Sequence, residues 1–77
     1  MLNKIIFSER LKLLRETKNL SKAGLGSMIG VSKVSVHYLE TGVNYPHCNT
    51  LLSLADYFDV SLDYLTGRTD NPDSHKL

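Results

Sequence analysis

Residues 21–42 read SKAGLGSMIGVSKVSVHYLETG and predict two short helices joined by a tight turn. Ser21 and Ser32 belong to the residue types that cap helix N-termini with a side-chain oxygen. Gly30 and Gly42 suit the left-handed conformation in which helices commonly end. The order of cap, short helix, glycine turn, cap, short helix and glycine is typical of a helix-turn-helix, although a generic helical hairpin shares some of these features.

The second helix of this pair carries only a thin apolar stripe. Val36 and Leu39 lie three residues apart, as neighbours on one helix face do, and Val34 could extend the same face. A helix with so few core residues leaves a wide face for something other than the core. The outward positions predicted on this helix are Lys33, His37, Tyr38 and Thr41.

Helical periodicity predicts another helix before this pair, over residues 4–18. Asn3 could cap its start, and Asn19 tolerates the left-handed conformation at its end. Its apolar stripe comprises Phe7, Leu11 and Leu14, widened by Ile6 and Leu13. The apolar face of the first helix in the 21–42 pair comprises Leu25, Met28 and Ile29.

Two further helices are predicted in the C-terminal half. The fourth covers residues 47–58, and the fifth covers 62–66, with Ser61 as its cap and Gly67 at its end. The core positions of the fourth helix are Leu51, Leu54, Ala55 and Phe58. Because no stretch shows the alternating pattern of a strand, the predicted fold is an all-α bundle of five helices with the helix-turn-helix at about 21–41.

The chain of 77 residues, 42% hydrophobic and 22% charged, has room for one core and an ordinary globular composition. We expect one domain over 1–67 and a flexible tail over 68–77, which lacks periodicity. The lone Cys48 excludes a disulfide within the chain and suits a reducing, cytoplasmic compartment. No apolar run has the length of a membrane helix or the arrangement of a signal peptide, so no membrane association is expected.

The net charge of +1 is small, but the charges are unevenly distributed. Residues 1–42 contain seven Lys and Arg against three Glu, a net charge of +4, whereas residues 43–77 contain two against five Asp, a net charge of −3. A domain with this asymmetry could present its basic side to phosphates. Solvated helix faces explain the same pattern equally well.

Six short motifs occur along the chain in a fixed order. They are FSERLKLLR at 7–15, LSK at 20–22, IGVS at 29–32, LETG at 39–42, LLSLADYFDV at 51–60 and SLDYLTGR at 61–68. In this order and spacing they resemble the phage-repressor-type (Xre-type) helix-turn-helix family. The resemblance implies a five-helix fold, binding to double-stranded operator DNA, a homodimer, and a third helix that enters the major groove.

The resemblance points to the third predicted helix as the base-reading element, and the groove dimensions agree because an α-helix fits the major groove. Lys33 could donate a hydrogen bond to guanine O6 or N7, and Val34 could contact a thymine methyl group. The base-reading candidates are Ser32, Lys33, Val34, Ser35, His37 and Tyr38. For each of them a solvated or interhelical role is the alternative.

Phosphate contacts are expected at two places. Backbone N–H groups at a helix start bind phosphate readily, and Lys22 would add a cation at a position where the family often has Gln. The loop after the third helix also commonly meets phosphate in this family. The phosphate candidates are Ser21, Lys22, Thr41, Asn44 and Tyr45, although Tyr45 could instead pack on Pro46.

Other residues receive structural interpretations. Glu40 matches an acidic family position, and we expect it to form a salt bridge with Arg10 or Arg15, since a carboxylate near phosphate is repelled. Gly26 stands where the family usually has Ala at a close helix contact. The dimer-interface candidates are Tyr57, Tyr64 and Leu65, with completion of the monomer core as the alternative.

No pattern for catalysis is found. His37, His47 and Cys48 match no zinc-site spacing, and neither a phosphate-binding glycine loop nor a suitable carboxylate pair is present. We therefore expect no enzyme activity, metal or cofactor. The alternative to DNA binding is a protein-interaction module that holds a toxin, an antirepressor or a polymerase subunit.

Overall fold

The computed structural model describes residues 3–73, and this part of the chain forms five α-helices without a strand. The helices are α1 (Lys4–Thr17), α2 (Lys22–Ile29), α3 (Lys33–Glu40), α4 (Cys48–Phe58) and α5 (Leu62–Leu65). Each end lies within one residue of its predicted position, so the predicted all-α, five-helix fold is confirmed.

Side-chain caps explain why the helix starts were predictable. Asn3, Ser21, Ser32 and Ser61 each accept a hydrogen bond from the backbone N–H three residues later, at 2.9–3.1 Å. These bonds satisfy one of the donors that every helix start leaves without an intrahelical acceptor. At the start of α4, the side chain of His47 makes no capping hydrogen bond.

The turn between α2 and α3 is built on two glycines. Gly30 has φ 79°, a left-handed conformation in which a side chain would be strained. The carbonyl oxygen of Gly26 accepts hydrogen bonds from the N–H groups of Gly30 and Val31 at 2.8 and 2.9 Å. A Cβ at Gly26 would lie 2.5 Å from the carbonyl oxygen of Val31. The family's usual Ala therefore does not fit at this turn without a backbone shift.

The core lies where the inner faces of the five helices meet. Its members are Phe7, Leu11, Leu25, Val36, Leu39, Leu54, Ala55, Phe58, Val60 and Leu65. Two residues predicted to belong to apolar stripes are instead exposed: Leu13 by 56% and Met28 by 59%. Leu13 lies two residues after the buried Leu11, which is about 200° around the helix, so it lies on the side opposite the core. On α2, Leu25 and Ile29 pack against the core, whereas Met28 lies at the edge of this contact.

A buried ion pair joins α1 to the end of α3, as predicted for Arg15. Its Nε and Nη2 donate to the two carboxylate oxygens of Glu40 at 2.5 and 3.0 Å, and its Nη1 donates to the carbonyl oxygen of Leu20 at 2.8 Å. The two charged side chains are 12% and 3% exposed. The hydrogen bonds with Glu40 raise the pKa of Arg15 above its ordinary value, against the opposing effect of burial.

Arg10, the other predicted partner of Glu40, instead holds the segment after α5. Its Nη1 donates to the carbonyl oxygens of Tyr64 and Thr69, its Nη2 pairs with Asp70 at 2.6 Å, and its guanidinium lies 4.2 Å from the ring centroid of Tyr64. The predicted tail therefore contacts α1 and α5 at its start. Its flexibility stays a prediction, and residues 74–77 lie outside the described part of the chain.

We predict that Glu40→Ala lowers the free energy of unfolding by about 3 kcal/mol, because it leaves the Arg15 guanidinium buried without its partner. Urea denaturation followed by circular dichroism measures this change. Glu9→Ala is the control, since Glu9 lies on the exposed face of α1, and it should change stability by less than about 0.5 kcal/mol. Equal effects of the two substitutions would contradict the structural role of Glu40.

We predict that Gly26→Ala destabilises the protein by about 1–3 kcal/mol, although alanine favours helices over glycine by about 1 kcal/mol. The new Cβ would press against the Val31 carbonyl oxygen. Gly24→Ala is the matched control in the same helix, where the nearest atom is the Ser21 Oγ at 3.1 Å. Urea midpoints should fall further for Gly26→Ala than for Gly24→Ala, and the reverse order would refute the tight contact.

Candidate nucleic-acid interface

The outer face of α3 is exposed as predicted. Val36 and Leu39 turn into the core, whereas Lys33 and His37 are exposed on the opposite side. Val34 is 55% exposed and therefore does not extend the apolar stripe. The remaining outward positions, Tyr38 and Thr41, are exposed as well. This face thus combines a cation, an imidazole, a phenol and an aliphatic group.

The two serines at the start of α3 are bonded to one another. The Oγ of Ser32 accepts from the N–H of Ser35 and donates to the Oγ of Ser35, both at 3.0 Å. Ser35 is also half-buried. As base-reading candidates these serines are thus less open to a ligand than Lys33 or Val34 on the same helix.

The start of α2 lies beside the outer face of α3. Ser21 caps this helix through the N–H of Gly24 at 2.9 Å. The Nζ of Lys22 lies 3.0 Å from the Nδ1 of His37, which joins a phosphate candidate to a base-reading candidate. The two residues stand 15 positions apart, so no local pattern in the sequence indicates this contact.

The loop after α3 brings further candidates to the same region. The Oγ1 of Thr41 donates to the carbonyl oxygens of His37 and Tyr38 at 3.0 and 3.3 Å, so this hydroxyl closes the end of α3. Asn44 is exposed. Tyr45 is 62% exposed, and the Nζ of Lys4 lies 4.5 Å from its ring centroid.

Lys4 is thus a cation at this surface that sequence reasoning missed. No local signal could have placed it beside a loop 41 positions further along the chain. Tyr45 and Pro46 both line a cleft between α3 and α4, together with Asn44 and His47. Tyr45 therefore stands at the rim of a concave surface next to α3.

The cations of the basic half divide into two groups. Arg10 and Arg15 are engaged in hydrogen bonds and ion pairs within the fold. Lys33 is exposed on α3, whereas Lys22, at the first position of α2, is half-buried with its Nζ beside His37. The positive potential of the predicted interface therefore comes from lysines rather than arginines.

The predicted dimer residues differ in accessibility. Leu65 is fully buried in the core, in agreement with the alternative interpretation, and it leaves no side-chain surface for a partner. Tyr57 and Tyr64 are half-buried. Tyr57 packs edge-on to Phe58 with ring centroids 5.1 Å apart, and Tyr64 lies against the Arg10 guanidinium.

Residues 3–73 show no feature typical of a metal site or a membrane span. This part of the chain contains no group of three or more His, Cys, Asp or Glu that could hold a metal ion. It also contains no helix with the length and apolar character needed to cross a membrane. Cys48, at the first position of α4, is exposed.

Two capped helices of eight residues each, joined through the left-handed Gly30, define a helix-turn-helix protein. A family model described as "Helix-turn-helix domain" matches residues 6–66, most of the chain. The chain therefore belongs to the helix-turn-helix family of transcriptional regulators, in its phage-repressor (Xre-type) branch, as the motifs predicted.

The similar proteins include regulators and repressors. The chain is 37% identical over 68 residues to the uncharacterized HTH-type transcriptional regulator YobD of Bacillus subtilis, a match that covers 88% of this chain and 61% of YobD. Over 69 residues it is 32% identical to the cryptic phage CTXphi transcriptional repressor RstR of Vibrio cholerae, which covers 90% of this chain and 62% of RstR. The chain thus spans less than two thirds of these relatives' lengths.

Among solved structures, the P22 c2 repressor protein in complex with synthetic operator 9T in the presence of Tl⁺ is similar, with a TM-score of 0.75 and 33% identity. This match covers 78% of the present chain and 91% of the repressor chain. The family and the relatives named here are regulators rather than enzymes, which confirms the prediction that this domain is not an enzyme.

Proposed function

We propose that the chain binds double-stranded DNA sequence-specifically and represses transcription, with α3 in the major groove. The observation that carries the proposal is the exposed outer face of α3, flanked by Lys22 at the start of α2. An α-helix fits the major groove, and side chains near its N-terminus reach base edges. The similar fold of the P22 c2 repressor, whose solved structure contains a synthetic operator, supports binding to operator DNA.

The residues divide into two roles. Lys33, Val34, His37 and Tyr38 would read base edges because their side chains are exposed on one face of α3, and Ser32 and Ser35 remain candidates beside them. The phosphate contacts would come from both ends of this surface, through Ser21, Lys22, Thr41, Asn44 and Tyr45. Phosphate contacts position a protein on the duplex, whereas base contacts provide the sequence preference.

The assembly proposed is a homodimer on an inverted repeat. Its half-sites would lie about one helical turn apart, roughly 34 Å or 10 bp, so that both third helices enter the same side of the duplex. Tyr57 and Tyr64 are the remaining interface candidates from the sequence. Repression is proposed because the similar proteins include the CTXphi transcriptional repressor RstR and the P22 c2 repressor.

A second candidate function is a protein-interaction module. The observation that favours it is the exposure of Leu52 and Leu62, 44% and 40%, on the acidic C-terminal half of the chain. A toxin, an antirepressor or a polymerase subunit could cover such residues. A stoichiometric protein partner, combined with no DNA binding above background, would favour this function over the first.

Fluorescence anisotropy tests the DNA-binding proposal. The protein is titrated against a labelled duplex from upstream of its own gene and against a shuffled duplex of the same composition, at about 50 and 200 mM salt. We expect submicromolar binding to the upstream duplex at the higher salt and binding to the control at least about a thousandfold weaker. Equal, steeply salt-dependent binding to both would reduce the interaction to nonspecific attraction of phosphates.

Sedimentation of the free protein and of its DNA complex tests the dimer. Two chains per duplex and a footprint with two symmetric halves are expected. One chain per duplex with an asymmetric footprint would refute the homodimer while leaving sequence-specific binding intact.

Lys33 and Lys22 should respond differently to removal of their charge. Lys33→Ala should weaken binding to the preferred duplex by about 1–3 kcal/mol and relax the preference at one base position. Lys22→Ala should weaken binding to all sequences alike and reduce the slope of affinity against salt concentration by about one. Anisotropy over a set of single-base variants measures both. An unchanged base preference for Lys33→Ala would contradict its base-reading role.

A further inference from the structure

One side-chain contact joins the two helices of the helix-turn-helix at the surface. The Nζ of Lys22 lies 3.0 Å from the Nδ1 of His37, within hydrogen-bonding distance. A lysine ammonium carries three N–H donors and no acceptor. The contact therefore requires a lone pair on Nδ1, and the proton of the neutral imidazole then belongs to Nε2.

We infer that Lys22 selects the Nε2–H tautomer of His37, so that α3 presents a hydrogen-bond donor to an acceptor atom of DNA. The inference rests on the proposed DNA-binding function and adds a positioning role for Lys22. Without such a partner, either ring nitrogen of an exposed histidine can carry the proton.

The Nε2–H group of His37 is accessible to a ligand. His37 is exposed, and its contact with Lys22 engages Nδ1 rather than Nε2. The neighbouring ring of Tyr38 is tilted by 54° at a centroid distance of 5.9 Å. The backbone of His37 is also fixed, because its carbonyl oxygen accepts a hydrogen bond from the Thr41 hydroxyl.

The charges around the ring agree with this tautomer. Lys22 lies on one side, and Lys33 stands one turn earlier on α3. Both lysines carry donors only, so neither offers an acceptor to a proton on Nδ1. The Nε2–H tautomer both accepts from Lys22 through Nδ1 and donates through Nε2.

The donor discriminates among the groups that DNA displays. A phosphate oxygen and the purine N7 or guanine O6 accept a hydrogen bond from Nε2–H, whereas the amino groups of cytosine and adenine do not. The Lys22 ammonium keeps two further N–H groups for phosphate oxygens. The pair would thus bind one DNA acceptor through the ring and a phosphate through the lysine.

The tautomer is tested first, on the free protein. Two-dimensional ¹H–¹⁵N spectra of the imidazole are recorded at about pH 8, where an ordinary histidine is neutral. We expect a protonated Nε2 and an unprotonated Nδ1 in the wild-type protein, and a mixture of both tautomers in Lys22→Met. A protonated Nδ1 in the wild type, or spectra unchanged by Lys22→Met, would overturn the inference.

Two amide substitutions then test the donor in DNA binding. The side-chain amide of Gln reaches the position of Nε2, whereas the shorter Asn reaches only that of Nδ1. In the anisotropy titration with the upstream duplex, His37→Asn should weaken binding about tenfold, the scale of one hydrogen bond to a charged group, and His37→Gln should retain most of the affinity. Equal effects of the two substitutions, or no loss in either, would refute the donor role.

The same titration identifies the acceptor. A loss that is uniform over single-base variants of the duplex indicates a phosphate oxygen, and a loss confined to one base position indicates a base edge. If wild-type protein does not distinguish the upstream duplex from the shuffled one, the proposed sequence-specific function fails on that duplex, whereas equal affinities of wild type, His37→Asn and His37→Gln refute the donor role by itself. The imidazole spectra remain a separate measure of the Lys22–His37 contact.

Discussion

The buried ion pair between Arg15 and Glu40 holds the helix-turn-helix against α1. The same guanidinium donates to the carbonyl oxygen of Leu20, so it also secures the turn that leads into α2. A hydrogen bond from the Ser8 Oγ to the carbonyl oxygen of Leu39, 2.8 Å long, provides a second link between α1 and the end of α3. Because a buried charge without its partner costs several kcal/mol, these elements fold together. The orientation of the exposed face of α3 depends on this connection.

Arginine and lysine have different roles in this fold because their side chains differ in chemistry. A guanidinium is planar and carries five N–H groups, so Arg15 can bind both oxygens of a carboxylate and a carbonyl at once, and Arg10 can join several acceptors after α5. An ammonium is a compact, mobile charge suited to phosphate. With Arg10 and Arg15 engaged in ion pairs within the fold, the surface beside the outer face of α3 takes its positive charge from Lys22 and Lys33.

Local interactions explain the parts of the fold that were predictable. The helix starts depend on caps such as Ser21 and Ser32, whose hydrogen bonds span three residues, and the end of α2 depends on the backbone freedom of Gly30. The errors concern residues at the margins of amphipathic stripes. Leu13 and Met28 are apolar, but their burial depends on which side of the helix a neighbouring helix covers. In a short helix with few core residues, the local sequence does not determine which side that is.

By itself, the sequence determined the number, type and limits of the helices, the family, and the outward positions of Lys33, His37, Tyr38 and Thr41 on α3, whereas the exposure of Val34 was left open. These properties follow from periodicity, caps and motifs, whose causes lie within about one helical turn. Only the tertiary structure decided which of two arginines pairs with Glu40, that Leu65 belongs to the core, and that Lys22 meets His37. Those outcomes depend on how helices pack, and packing brings together residues whose separation along the chain carries no local signal.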